Sequence, residues 1–307
     1  MDQATPLWTW WLSWLSPFAV VFTRPGWVRF VPGVTGMGLC WEEHTLTQLL
    51  TAMGLESRWR VLEHFAEYGA WDREAVERHT LRLIEQERPA RWGSYHPVAL
   101  DDTKGQRTSK TVWGTCTFHE SSARSPNRAE TVRAPHWVVM GDLLPGHPWT
   151  YLPHAARWYC RRTPLPARET FRTKTMLAVD LLRQADAASA VPVWAVCDGA
   201  YAVHTVVPPC LEPAEGRRRL EIVPRWRVDA RLYRPVGAPP RAQGRPPKWG
   251  PRRASPQHHL YWPVGWQRSR AWGYGRMRPF RYKQLRCRWA VSGPQIPVHA
   301  WVVPMTG

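Results

Sequence analysis

Two short stretches hold the residues best placed to do chemistry. In PVALDDTKGQRTSK, residues 97–110, an apolar run ends in Asp101, Asp102 and a threonine, and Lys104, Arg107 and Lys110 follow at once. In VPVWAVCDGAY, residues 191–201, a second apolar run ends in Asp198, and Gly199 lets the chain turn away from an exposed carboxylate. Carboxylates at strand ends are rigid and open to a bulky ligand. Clustered, they suit divalent ions about 3.5–4 Å apart, which neutralise the attacking and leaving oxygens of a phosphodiester displacement. The flanking cations would then meet a phosphate backbone. An acidic turn reads the same way locally, since an Asp-Gly after a strand is usually a turn. Asp101 and Asp102 are also equivalent at this point, because strand alternation lets only one of two neighbours face a given side.

The elements around these acids follow from periodicity. HTLTQLLTAMGLES places Leu46, Leu49, Leu50 and Met53 on one helical face, with Gly54 as a stop. RWRVLEHFAEYGAW continues the helical pattern. WDREAVERHTLRLIEQERP adds Asp72 as an N-cap and Pro89 as a terminator. After residue 95 the texture changes to short strands at 97–101, 111–120 and 136–144. A helix over 166–188, a buried strand over 191–198, a helix start in GAYAVHTVV and a strand over 220–226 follow. Three strands joined by short loops predict an antiparallel meander. The helix before the fourth strand predicts a crossover that sets it parallel to the first. That order is like a ribonuclease H core, and it brings Asp101 and Asp198 to the carboxyl ends of neighbouring central strands, where open α/β sheets place their ligands.

Composition narrows the partner. The chain has 307 residues, 44% of them hydrophobic, and a formal charge of +18, which excludes a disordered chain and points to an anionic partner, nucleic acid before a membrane surface. The charge is not spread evenly. Residues 1–97 hold 9 Lys/Arg against 11 Asp/Glu, whereas residues 222–307 hold 17 against one acid, Asp229. Six cysteines without a C-x-x-C pair argue for free thiols in a reducing compartment and against a structural zinc site. The N-terminal LWTWWLSWLSPFAVVF is too short, and too interrupted by Ser, Thr and Pro17, for a spanning helix of about 20 apolar residues. A Trp-rich segment packed on a core is the expectation, with no membrane association.

In order, ALDDT, RTSKTVWGTCTFHESSARSPNR, HWVVMGDLL, VCDGAY and RWRVDARLYRP with GRPPKWGPRR resemble the insertion-sequence transposases of the DDE superfamily over about residues 95–305. FTRPGWVRF and the helices after it resemble the same family's N-terminal region. The resemblance implies an α/β fold with an RNase H-like mixed-sheet core, an N-terminal helical region (1–92), a first part of the catalytic core (93–221) and a basic β-rich insertion (222–307). It implies Mg²⁺ as cofactor, with Mn²⁺ as a substitute, and double-stranded DNA (terminal inverted repeats and target) as partner. A homodimer on DNA and a cytoplasmic, nucleoid-associated location in a bacterium belong to the same expectation.

Matched by motif, Asp101 is the first catalytic metal ligand and Asp198 the second, with Asp102 the alternative for the first. Lys104, Arg107 and Lys110, and Arg245, Lys248, Arg252 and Arg253 in the basic segment, are the expected DNA contacts. GRPPK is similar to minor-groove elements in which Arg enters the groove and Pro keeps the chain extended, although Gln243 stands where such an element prefers a cation. The tryptophans of the basic segment divide between base stacking and a local core. His119, His136 and His204 read as structural histidines.

The family pattern also calls for a third acid, a Glu on a helix after the insertion. Here the last glutamate is Glu221 and no carboxylate follows Asp229. The expectation is a DNA transposase that in full length would cut DNA at element ends and join the 3′ hydroxyls to a target, here a chain that ends inside the insertion, before its third ligand, and so binds DNA without cutting it. Two rivals stand beside that reading: a non-catalytic DNA-binding remnant, and a basic RNA-binding protein of unrelated fold.

Overall fold

The structure is a computed structural model. It describes residues 6–41, 44–87, 89–105, 114–119, 131–146, 148–161, 170–212, 220–236, 247–273 and 275–304. Arg107, Lys110 and Arg245 lie outside the described residues. The chain divides into two units, Met1–Arg88 and Pro89–Gly307.

The first unit is helical: α1 (Pro6–Leu15), α2 (Arg24–Leu39), α3 (Leu46–Met53), α4 (Trp59–Tyr68) and α5 (Arg73–Glu87). Its helix boundaries follow local chemistry. Thr45 and Gln48 form a reciprocal capping box at the start of α3, and Gly54 ends it in the left-handed conformation. The Asp72 side chain accepts from the Ala75 N–H at the start of α5. Gly36 lets α2 approach α3 closely, since a Cβ there would stand 2.7 Å from the Leu49 carbonyl oxygen. The Trp-rich start packs only in part: Leu15 and Phe18 are buried, while Leu7 and Trp10 are exposed. Among the described residues, no helix is long and apolar enough to cross a membrane.

The second unit carries two sheets and a small hairpin. Its strands are β1 (His96–Lys104), β2 (Cys116–His119), β3 (Thr131–Ala134), β4 (His136–Leu144), β5 (Thr150–Tyr159), β6 (Val193–Cys197) and β7 (Leu220–Pro224). They continue as β8 (Leu232–Tyr233), β9 (Arg252–Arg253), β10 (Gln267–Gly273), β11 (Arg276–Trp289) and β12 (Pro297–Val302). Helix α6 (Lys174–Ala188) precedes β6, α7 (Val207–Leu211) precedes β7, and α8 (Pro256–Tyr261) follows β9. The main sheet has the order β5-β4-β1-β6-β7. β1 pairs with β4 and β4 with β5 antiparallel, whereas β1–β6 and β6–β7 are parallel. This is the RNase H-like α/β arrangement: a meander, then a crossover through α6 that sets β6 beside β1.

The strand count within the meander needs correction. The segment at 111–120 was expected as the second strand, but its described part, Cys116–His119, forms a separate hairpin with Thr131–Ala134. The meander is completed instead by β5, which the sequence hides because Pro153, His154 and Arg157 break its apolar pattern. The strand accepts them at the edge of the sheet, with a register shift opposite Met140 and Gly141 where Pro153 sits. Helix α6 also starts later than expected, at Lys174, where the Thr173 side chain caps it by accepting from the Met176 N–H.

One face of the main sheet is packed. Val98, Leu100, Val138, Met140, Val193 and Ala195 meet Leu177, Leu181, Leu182 and Ala185 of α6 and Tyr201 in one core. The second sheet, order β10-β11-β8-β9 with β12 on β11, builds its own core from Leu232, Leu285, Cys287, Trp289, Ala300 and Val302, joined by Val207 and Leu211 of α7. Trp226 packs on Trp289, with ring centroids 4.8 Å apart, so these two tryptophans serve the core.

Candidate active site

The acids are sorted by the alternation of their strands. Val98 and Leu100 point into the core, as do Val193, Ala195 and Cys197, while Asp101 and Asp198 are exposed. β1 and β6 run parallel with Leu100 beside Cys197. The next residue on each chain is therefore Asp101 beside Asp198, on the face opposite the packed core. Asp198 keeps an extended backbone (φ −69°, ψ 166°) before the turn Gly199–Tyr201, so the register carries through to it. Neighbouring strands lie about 4.8 Å apart. Beneath this end of the sheet, burial raises the Cys197 thiol and the Tyr201 phenol; the next largest effects are the charge of Cys210 on Cys197 and of Asp102 on Tyr201, followed by Asp198 and Asp101.

Asp102 faces the other way. Its Oδ2 accepts from His136 Nε2 and, at 2.6 Å, from Lys174 Nζ. The His136 hydrogen bond, with the hydrogen bond and charge of Lys174, holds the Asp102 carboxyl well below the usual carboxylate range against the upward push of burial. Lys174 thus ties the first turn of α6 to the end of β1. Phe118 covers this network, its ring meeting His136 edge-on at 4.6 Å and lying 5.7 Å from Lys174 Nζ. Below it on the same face, Asp142 Oδ1 accepts from Nε2 of both His96 and His154, at 2.9 and 3.0 Å. Burial pushes the Asp142 carboxyl up, and the hydrogen bonds from His154 and His96 outweigh it, bringing the group to about 2.

The open face has its own furnishing. Tyr151 on β5 extends across Gly141, where a Cβ would stand 2.7 Å from the Tyr151 ring and 2.5 Å from the Leu152 carbonyl oxygen. Its phenol is raised by burial and then by the charge of Asp101. Towards the other end of this face, Trp194 stacks on Tyr95 at 5.1 Å and meets Trp92 at 4.7 Å. Glu221 pairs with Trp194 in the β6–β7 ladder, four residues back along β6 from Asp198, which is about 13 Å of strand.

Asp101 and Asp198 form no ion pair with a described cation; Asp101 Oδ1 accepts from the Asp102 main-chain N–H at 2.8 Å. Two such carboxylates side by side repel each other unless a cation lies between them. Hard carboxylate oxygens are also the ligands that Mg²⁺ and similar ions take. The donor set therefore fits a divalent ion. Among the described residues, no three His, Cys, Asp or Glu side chains converge on one metal position.

The expected DNA contacts are dispersed. Lys104 Nζ donates to the His119 carbonyl oxygen at 3.1 Å. Lys248 and Arg252 are exposed on the second sheet's side of the unit, and Arg253 Nη1 donates to the Arg286 carbonyl oxygen at 2.8 Å. His119 and His204 are exposed and outside the acid pair, while His136 is buried in the Asp102 network. Lys174, Tyr151 and Tyr201 were not singled out as site residues from sequence. The threonine cap before Lys174 was the one local signal for it.

A family model described as DDE superfamily endonuclease matches residues 22–278. No curated protein matches the chain.

Proposed function

The chain belongs to the DDE superfamily endonuclease family, which acts on DNA and generally uses divalent metal ions, and we propose that it is a DNA transposase whose Asp101 and Asp198 hold Mg²⁺ beside the phosphodiester. The observation that carries this reading is the register: two exposed carboxylates on adjacent parallel strands, on one face, at the carboxyl edge of the sheet. When bound, the metal would polarise a phosphoryl oxygen and lower the pKa of an attacking water or hydroxyl.

The chain's own residues supply rigidity and orientation. Alternation turns Asp102 away from the metal face, and His136 and Lys174 clamp it there. That clamp fixes the backbone that carries Asp101. Gly199 leaves room for the Asp198 turn, since a Cβ there would stand 3.0 Å from the Arg225 carbonyl oxygen. Tyr201 is buried in the core packed against α6 with its hydroxyl unpartnered among the described residues, and burial, with the charge of Asp102 next, keeps it protonated. Terminal inverted repeats as the DNA bound, and strand transfer into a target as the outcome, come from the family resemblance. A DNA-binding role without cleavage is the second reading, favoured by the lack of a third converging acid among the described residues.

Mn²⁺ binding, followed by electron paramagnetic resonance in the presence of duplex DNA, tests the proposal. Asp101→Asn and Asp198→Asn should each weaken Mn²⁺ at least about ten-fold, as expected for loss of a ligand to a hard cation. Asp142→Asn, on the opposite face, should bind like the parent. Parent-like binding by both Asp101→Asn and Asp198→Asn would remove the metal from this site.

A further inference from the structure

The second sheet carries a feature that the acid pair does not explain. β10 and the first half of β11 pair from Gln267 with Tyr282 to Gly273 with Arg276. β12 joins β11 only from Lys283 onward, and β8 only at Arg288 and Trp289. Among the described residues, the stretch between is therefore a two-stranded ribbon projecting from the sheet. Seven ladder positions make it about 20 Å long. Gln267–Trp272 are exposed throughout, as are Met277, Pro279 and Arg281, whereas Arg278, Phe280 and Tyr282 on the other face are half-buried; among the described residues, one face of the ribbon is thus left open. An isolated two-stranded hairpin is marginally stable in water.

Charge says what kind of partner would cover it. Arg268 stands directly opposite Arg281, and on the same face Arg270 is opposite Pro279 and Trp272 opposite Met277. Like charges directly opposite one another destabilise a strand pair. Nothing nearby in sequence relieves them: the one acid in residues 222–307, Asp229, is held by Arg227 at 3.0 and 3.3 Å. Arg281 lies over the Trp266 ring at 4.6 Å, which orients it without neutralising it. Among the described residues no carboxylate pairs with Arg268, Arg270 or Arg281, so the face is a row of guanidinium groups beside two apolar side chains.

We propose that this ribbon enters the major groove of B-form duplex DNA with its Arg268, Arg270 and Arg281 face towards the bases. The inference rests on the reading of the chain as a DNA-acting protein and adds the element that reads the duplex. The major groove, about 12 Å wide, admits a two-stranded ribbon, and arginine can pair with guanine O6 and N7 there. Trp272 and Met277 suit apolar contact with thymine methyl groups. The major groove of duplex RNA is too deep and narrow for such a ribbon.

The test uses the whole 307-residue protein and a fluorescent 30-base-pair duplex of mixed sequence, with anisotropy read across a salt series. The R268Q/R270Q/R281Q variant should bind at least about ten-fold more weakly at low salt. Because contacts to guanine O6 and N7 neutralise no phosphate, the weakening should persist across the salt series and should be much smaller on an alternating dA·dT duplex; a slope that flattens by about 0.9 per arginine, with equal loss on both duplexes, would mean phosphate contacts instead and overturn the groove assignment. R270Q alone should weaken binding to the mixed duplex by at least about five-fold. A control with equal charge loss on α4 and α5, R60Q/R73Q/R82Q, should keep the parent preference between the two duplexes. Methyl green, a major-groove ligand, should compete with the parent protein, and netropsin, a minor-groove ligand, should not. A duplex RNA of the same sequence should bind parent and ribbon variant alike. Ribbon and control variants that behave alike, or competition by netropsin alone, would overturn the proposal while leaving DNA binding intact. Failure of the parent protein to bind the duplex at all would overturn it together with the reading on which it rests.

Discussion

Replacing Asp142 by Asn perturbs the buried hydrogen-bond cluster beneath the active face without touching Asp101 or Asp198. Asp142 Oδ1 takes hydrogen bonds from two histidines, and the side chains of His96, Asp142 and His154 are 7%, 2% and 0% exposed. The carboxyl is brought from 3.8 to about 2, and each pKa unit corresponds to about 1.4 kcal/mol. The charged form therefore contributes roughly 2 kcal/mol to folding. Because the folded pKa lies below the unfolded one, that contribution is complete above about pH 4 to 5 and disappears as pH falls through about 2. The amide keeps the shape and lacks the charge at every pH.

Urea denaturation followed by circular dichroism should find the variant about 2 kcal/mol less stable at pH 7 and at pH 5. The gap should narrow to about 1 kcal/mol at pH 3 and keep closing below it. A gap under about 0.5 kcal/mol at pH 7, or one that does not narrow between pH 5 and pH 3, would refute the argument that the two histidines hold a carboxylate there. Other acids titrate in both proteins and cancel in the difference.

Lys174→Met removes one arm of the Asp102 clamp. With Lys174 32% and Asp102 22% exposed, solvent screens part of the interaction, so the loss should be about 1–2 kcal/mol and lower the melting temperature by a few degrees. Gly141→Ala forces a methyl group to within 2.5 Å of the Leu152 carbonyl oxygen and 2.7 Å of the Tyr151 ring; calorimetry should show about 2–3 kcal/mol of destabilisation, and a parent-like melting temperature would mean Tyr151 does not lie across the sheet there. Of six free cysteines only Cys40 is not buried, and burial pushes Cys197 and Cys210 up to about 12. A thiol reagent at pH 8 should therefore modify one cysteine quickly in the folded protein and six after denaturation.

Much of this architecture was legible where local chemistry decides it. The Gly54 stop and the Asp72 cap are short-range arrangements that the sequence spells out. The neighbouring placement of Asp101 and Asp198 could be inferred because an antiparallel meander followed by one crossover helix has few ways to return its next strand, and the parallel one sets β6 beside β1. The choice between Asp101 and Asp102 could not. Pro97 to Leu100 are apolar on both faces, so alternation has no visible phase until Val98 and Leu100 are seen against α6. β5 was missed because its polar residues are accommodated by a bulge and by Asp142, features set by its partner strand. Lys174 and Tyr151 reach the site from 72 and 50 residues away along the chain, and no local spacing announces such contacts.

Iron-directed cleavage of the protein's own backbone tests the metal pair most directly. Fe²⁺ bound in place of Mg²⁺, with ascorbate and peroxide, releases hydroxyl radicals that cut the chain beside the residues holding the ion. If Asp101 and Asp198 share a metal position, one reaction should yield cuts near residue 101 and near residue 198. Both should be suppressed by excess Mg²⁺ and lost in Asp101→Asn and in Asp198→Asn. Cuts at only one of the two positions, or cuts that survive either substitution, would contradict a shared site.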